Sequence, residues 1–299
     1  MKMPLQRIAI TGSSGLIGSA LVGHLKSEGH TVQRLVRRDP VSSDEIKWDP
    51  KSGYVDIEAL RGVDAVIHLA GVGVGDKRWS KKYKAEILNS RLLGTTAIAN
   101  AVAEVQPSVF ISASAIGWYG ESGNRGVIES DSSGDDFLAA VCREWEAAAD
   151  LAGPNVRIVK IRTGLVLDPT GGALGKMLPL FRIGLGGKLG SGKQWWSWIT
   201  LHDQIRAIDF ILAHKEITGP VNITAPNPVT NQEFTSALAR AMKRPALFPA
   251  PAIALKLALG GFSSEILGSK KVIPQKLTDA GFTWDYPHVS SALDVLVEN

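Results

Sequence analysis

Three glycines at three-residue intervals, Gly12, Gly15 and Gly18, constrain this chain more than any other feature. They follow "RIAI" (7–10), a short apolar, β-branched run that reads as a buried strand. After them "SALVGHLKSEGH" has helical periodicity and stops near Gly29, and "TVQRLVRR" (31–38) reads as a second strand. Strand, glycine turn, helix and strand within about thirty residues is the context in which such a motif holds a dinucleotide. Gly12 permits the sharp exit from the strand, Gly15 lets the backbone approach a pyrophosphate, and Gly18 lets the helix sit close to the sheet. The free N–H groups and positive dipole at the helix start then face the anion. Thr11, Gly12, Ser13, Ser14, Gly15, Leu16, Ile17 and Gly18 are therefore the expected phosphate seat.

The end of the second strand selects between cofactors. An acidic residue there would bond a ribose 2′-hydroxyl and favour NAD. This chain has Val36, Arg37 and Arg38, with Asp39 just beyond. Guanidinium forks match a phosphate with paired donors, so NADP is the expected cofactor, with Arg37 and Arg38 on its third phosphate. Two solvated arginines at a strand end are the plain alternative.

Composition narrows the partners. The chain has 299 residues, room for one large domain or two unequal ones, and a net charge of +4 with no basic run or face. A small-molecule substrate, sugar-like or anionic, is expected rather than nucleic acid. Cys142, the single cysteine, excludes an internal disulfide and a cysteine-based zinc site, and the six scattered histidines argue no metal site. No segment approaches eighteen uninterrupted apolar residues and the N-terminus lacks a signal-peptide core, so no membrane partner and a cytoplasmic setting are expected.

Further segments appear in a familiar order: "GVDAVIHLAG" (62–71), the long helix 80–102 with Ser80 as its cap, "SVFISASAIGWYG" (108–120), "VRIVKIRTGLVL" (156–167) read as one strand, and "WSWITLHD" (196–203) before a helix. Together they resemble the extended short-chain dehydrogenase/reductases, the group of nucleotide-sugar epimerases and dehydratases. Lys77-Arg78-Trp79, "GLGGKLGSGKQWWSWI" (184–199) and the tail "FPAPAIALKLALGG…EILGSKKVIPQKLTDAGF" are similar to its little-characterised epimerase-family branch, whose tail has no assigned role.

The resemblance implies an α/β protein: a Rossmann-like, doubly wound parallel sheet with a smaller C-terminal substrate lobe. Residues 1–170, with 200–225 returning to them, would form the NADP-binding domain, and 171–199 with 226–299 the substrate-side lobe. It places Leu69, Ala70 and Gly71 along the adenosine and pyrophosphate path, and Ser112 and Ser114 near the nicotinamide with the turn up to Val166. Where the superfamily usually has an Asn on the long helix, this chain has Arg91, expected to reach the cofactor with Glu86 holding it. His202-Asp203 resembles a strand-to-helix junction at which Asp caps the helix.

One expected feature is missing. Typical members place Tyr-x-x-x-Lys on the helix after the serine strand: the Tyr moves the proton, and the Lys lowers its pKa and holds the ribose. Here the helix reads Asp136 to Glu146, and the two positions hold Leu138 and Cys142, or Phe137 and Val141 one residue earlier. Ser114, Tyr119 and Lys176 are the substitute catalytic candidates. Two classes stay open: an NADP-dependent reductase or epimerase, and a catalytically reduced NADP-binding regulator. Trp195, Trp196 and Trp198 beside Lys188 and Lys193 read either as a flat pocket for a ring or as core of the smaller lobe. The helix at "NQEFTSALARAM", with Thr230 or Asn231 as cap, is open to serving a homo-oligomer interface.

Overall fold

A computed structural model describes residues 4–298. In chain order the elements begin with β1 (Arg7–Thr11), α1 (Leu16–Ser27), β2 (Thr31–Val36), β3 (Glu45–Asp49), β4 (Tyr54–Val55), α2 (Ile57–Leu60), β5 (Ala65–His68), α3 (Lys81–Val105) and β6 (Val109–Ala115). They continue with β7 (Gly126–Val127), α4 (Phe137–Ala149), β8 (Arg157–Thr163), β9 (Leu165–Asp168), α5 (Gly172–Arg182), β10 (Trp195–Trp196), β11 (Trp198–Thr200), α6 (Leu201–Ala213) and β12 (Gly219–Ile223). The remainder is β13 (Val229–Thr230), α7 (Asn231–Ala241), α8 (Ala252–Leu259), α9 (Ser263–Leu267), β14 (Lys271–Val272), α10 (Gln275–Asp279) and α11 (Val289–Glu298).

The main sheet runs β12-β8-β6-β5-β1-β2-β3-β4. All neighbours in it are parallel except β3 and β4. This is a Rossmann-like, doubly wound sheet. Alternation along each central strand feeds two cores, because side chains of a strand point to opposite faces in turn. Ile8 and Ile10 of β1 and Ile67 of β5 pack with Leu21 of α1 and Ile208 of α6. Ala9, Val66 and Phe110 face the other way and pack with Ile98 and Val102 of α3. Strand order reverses between β1 and β5, where the crevice of such a sheet opens beyond the strands' carboxyl ends.

A third core gathers Leu174 and Phe181 of α5, Trp198 of β11, Phe234 of α7 and Leu293 of α11. The run 156–167 is two strands rather than one. A Cβ at Gly164 would lie 2.8 Å from both the Ser197 carbonyl oxygen and Thr224 Cγ2, so only glycine fits where the chain leaves the main sheet and β9 pairs with β11. Asp203 does not cap α6. Thr200 does, its hydroxyl accepting the Asp203 N–H, while the buried Asp203 carboxylate accepts the N–H groups of Asp285 and Tyr286. Thr230 caps α7 in a reciprocal box with Glu233, which satisfies two otherwise orphaned donors.

Candidate functional site

The turn after β1 is packed backbone on backbone. A Cβ at Gly12, whose φ is +69°, would sit 2.8 Å from the Ala70 nitrogen, and one at Gly18 would sit 2.1 Å from the Gly12 carbonyl oxygen. The loops after β1 and β5 therefore meet at the switch point with no room for side chains. Thr11 locks them further: its Oγ1 accepts the N–H groups of Leu69 and Ala70 and lies 2.7 Å from His68 Nδ1. Burial pushes the imidazole pKa down to about 3, so His68 is a neutral structural group.

The start of α1 is open. Ser80, Asp136, Thr200 and Thr230 cap α3, α4, α6 and α7 with side-chain oxygens. α1 starts at Gly15 with no side-chain cap and no acid in its first turn. Its first N–H groups and dipole thus present an anion-binding surface. The turn before α5 folds against it, since a Cβ at Gly171 would touch Leu16 Cδ1 at 3.2 Å.

The two arginines after β2 differ. Arg38 grips Glu45 in a fork, with bonds of 2.7 and 2.6 Å, and Arg34 reaches the same carboxylate at 3.0 Å. Arg37 is exposed and pairs with no group among the described residues. The expected Glu86–Arg91 pair does not form. Five residues on a helix leave side chains about 140° apart, whereas three or four bring them together. Glu86 meets Lys77 at 3.7 Å instead. Arg91 is buried over the Trp145 ring and donates to the Val72 and Ile87 carbonyls, which fixes the loop beyond Gly71.

Beyond β6 and β9 lies a cleft of about 500 Å³. Its walls are mostly apolar: Leu138, Met177, Trp195, Trp196, Phe262 and Ile266. Of the two readings of α4, the structure turns Leu138 to the cleft, with the Cys142 thiol buried behind it against the Ala115 carbonyl. Desolvation raises that thiol to about 12, so it stays protonated. Phe137 instead packs on Trp79 and beneath the Lys84 amine. Trp198 is fully buried core, which splits the tryptophan cluster. The cleft amines are Lys176 and Lys270 rather than the expected Lys188 and Lys193. Lys270 binds Glu265 at 2.8 Å, and Lys176 lies 3.7 Å from Asp76 while donating to the Gly75 carbonyl. Asp76, Phe262 and Lys270 escaped sequence reading because they arrive on loops far apart in the chain. The glycines of "GVGVG" (71–75) were the one available signal: a Cβ at Gly75 would lie 2.9 Å from the Phe262 ring.

Ser114 and Tyr119 do not line the cleft; they belong to a buried network. Arg162 holds Glu146 at 2.8 and 3.0 Å and donates to the Tyr119 hydroxyl at 3.0 Å. Ser114 donates to Glu146, and Tyr119 to Asn222, each at 2.7 Å. The Arg162 guanidinium also lies over the Trp118 ring at 3.9 Å. Burial raises the Tyr119 phenol to about 12, with its proton committed to Asn222. Ser112 is buried with a weak bond to the Ala113 carbonyl, and Val166 sits in β9 beside Ile199. His202, Asp203 and Asp285 cluster, but the Arg206 guanidinium lies 2.9 and 3.1 Å from the two carboxylates and takes the place a cation would need.

The sequence pattern of the NAD dependent epimerase/dehydratase family matches residues 8–224, and that of a domain of unknown function matches residues 250–296. An epimerase family protein of Mycobacterium bovis is 46% identical over 288 residues, 96% of each chain. The human epimerase family protein SDR39U1 (isoform 2), whose crystal structure contains NADPH, is 32% identical with a TM-score of 0.91, covering 98% of this chain and 99% of that one. The nucleoside-diphosphate sugar epimerase of Corynebacterium glutamicum is 36% identical with a TM-score of 0.79, covering 97% of this chain and 57% of that one.

Proposed function

The chain belongs to the NAD dependent epimerase/dehydratase family, and from that premise we propose that it is an NADP(H)-dependent oxidoreductase acting on an uncharged ring carbonyl compound. The observation that carries this reading is the start of α1: a turn whose Gly12 and Gly18 have no room for a Cβ, ahead of a helix with no side-chain cap. Thr11 through Gly18 hold the diphosphate, with Leu69, Ala70 and Gly71 on the adenosine path. Arg37, free of partners, takes the third phosphate; Arg38 and Arg91 act as supports of their own loops. Ser112 and Val166 border the nicotinamide side. Residues 1–170 and 200–225 form the cofactor body, and 171–199 with 226–299 the substrate side.

When bound, the cofactor supplies or takes a hydride. Lys176, exposed on the cleft wall, is the group placed to hold or move a proton at a substrate oxygen. Leu138 and Cys142 stand where the resemblance to typical superfamily members implies Tyr and Lys, and the buried Tyr119 and Ser114 are spent on Asn222 and Glu146. The cleft narrows the expected substrate class to its uncharged end. Each of its two amines already faces a carboxylate, so no surplus cation is left for a substrate diphosphate. Flat apolar walls with a few polar groups suit a ring.

Calorimetry with NADPH and NADH, followed by NADPH absorbance with uncharged ring ketones, quinones and UDP-glucose, tests the reading. Tighter binding of NADPH, turnover of an uncharged ring compound, and a Lys176→Met variant with lower kcat and unchanged NADPH affinity are expected. No heat with either nucleotide overturns the cofactor assignment. Binding without turnover of any compound overturns the enzyme and leaves the regulator. Preference for UDP-glucose overturns the substrate class.

A further inference from the structure

Two long stretches of this chain contain no carboxylate. Residues 169–202 carry Lys176, Arg182, Lys188 and Lys193 without one Asp or Glu, and residues 234–264 carry Arg240, Lys243, Arg244 and Lys256 without one. The fold places them side by side: the Phe248 and Ala250 N–H groups donate to the Gly186 and Lys188 carbonyls, and Gly190 donates back to Ala250. Along this seam large apolar side chains face water. Ile183 is 68% exposed, Leu247 and Ile253 are 74% exposed and Leu257 is 72% exposed, with Leu180 and Phe248 also exposed. Seven of the eight residues of α8 are apolar, yet none is buried. Ile253 and Leu257, one turn apart, share a face. Such a helix has no reason to form on a protein surface that stays in water.

Charge selects what covers it. Arg182, Lys243, Arg244 and Lys256 are exposed and meet no carboxylate among the described residues. A second copy seated on the same face would oppose these cations with their own likes. An anionic lipid surface offers both an apolar layer for the aliphatic side chains and negative headgroups for the surrounding amines and guanidiniums. We infer that the face formed by residues 180–189 and 243–257 docks peripherally on an anionic bilayer. The sequence expectation of no membrane partner rested on span length, which does not test a surface contact.

Co-sedimentation of the full chain with phosphatidylcholine vesicles, and with vesicles that also contain phosphatidylglycerol, tests this independently of cofactor or substrate. Binding to the anionic vesicles only, weakened by salt, is expected. The triple variant Lys243→Ala, Arg244→Ala, Lys256→Ala should lose on the order of a hundredfold in partition, at about a tenfold share or less per charge. Ile253→Asp with Leu257→Asp should abolish binding, while thermal melting and NADPH titration of both variants match the parent. Absence of binding to anionic vesicles overturns the inference, as does equal binding to both vesicle types. A dimer in solution that Ile253→Asp with Leu257→Asp dissociates, with no vesicle binding by the parent, assigns the face to self-association instead.

Discussion

The ends of β1 and β8 lie at the same carboxyl edge of one sheet, and they spend their polar groups in opposite ways. After β1, the glycine turn leaves helix N–H groups without a side-chain cap, and after the neighbouring β2 Arg37 pairs with no group among the described residues. At the end of β8, Arg162 gathers Glu146, Ser114, Tyr119 and Asn222 into a group that satisfies itself, and Trp118 covers the guanidinium. A buried polar group must find a partner or cost stability, so the second region is a structural knot. The first has donors in excess, which is the condition for holding an anion. Ser114, a catalytic candidate by resemblance, lies on the closed side of this contrast, its hydroxyl bonded to Glu146.

The comparison breaks most visibly if Arg162→Met is harmless. Removing one partner of a buried pair should cost about 3–5 kcal/mol in chemical denaturation, and the folded fraction should still bind NADPH. Next, Gly18→Val should weaken NADPH and NADH together by on the order of a hundredfold, equivalent to about 3 kcal/mol, because its side chain would meet the Gly12 carbonyl. A calorimetric titration reads it, and unchanged affinity would put the nucleotide elsewhere. Arg37→Ala should weaken NADPH alone by about 1.5–3 kcal/mol, the worth of a charged hydrogen bond, sparing NADH in the same assay. Tyr119→Phe should cost about 1 kcal/mol of stability and leave kcat unchanged; a collapse of kcat would return Tyr119 to the chemistry.

The smallest effect concerns Arg38. Its hydrogen bonds to Glu45, then the Val41 N–H, pull that carboxyl from 4.5 to about 2. A carboxyl with a depressed folded pKa stabilises above its unfolded value and loses that contribution as pH falls through the folded one. Glu45→Gln should therefore flatten the fall in stability between pH 4.5 and about 2, measured by thermal melting.

The parallel sheet was legible because apolar β-branched runs alternate with helical periods, and the tight turn after β1 because glycine spacing reports backbone contact directly. Other features depended on distant partners. Arg37 and Arg38 look alike in sequence, and only Glu45, brought beside Arg34 by the β2–β3 register, separates them. Tyr119 meets Asn222 across 103 residues. Gly164 hides inside an apolar run, and what forbids a side chain there is a carbonyl from residue 197. The Glu86–Arg91 reading failed on information that was present, since a spacing of five already puts the two on different faces.

The C-terminal segment contributes more than a cover. Ile273 supplies the carbonyl that Asn222 needs, Lys276 gives its N–H to Glu129, and Asp285 and Tyr286 give theirs to Asp203. The stretch matched by the domain of unknown function is thus sewn into the body that holds the main sheet. A chimera that exchanges it between relatives must carry the acceptors at 129 and 203 and the amide donor at 222 along with it, or leave polar groups on both sides unpaired.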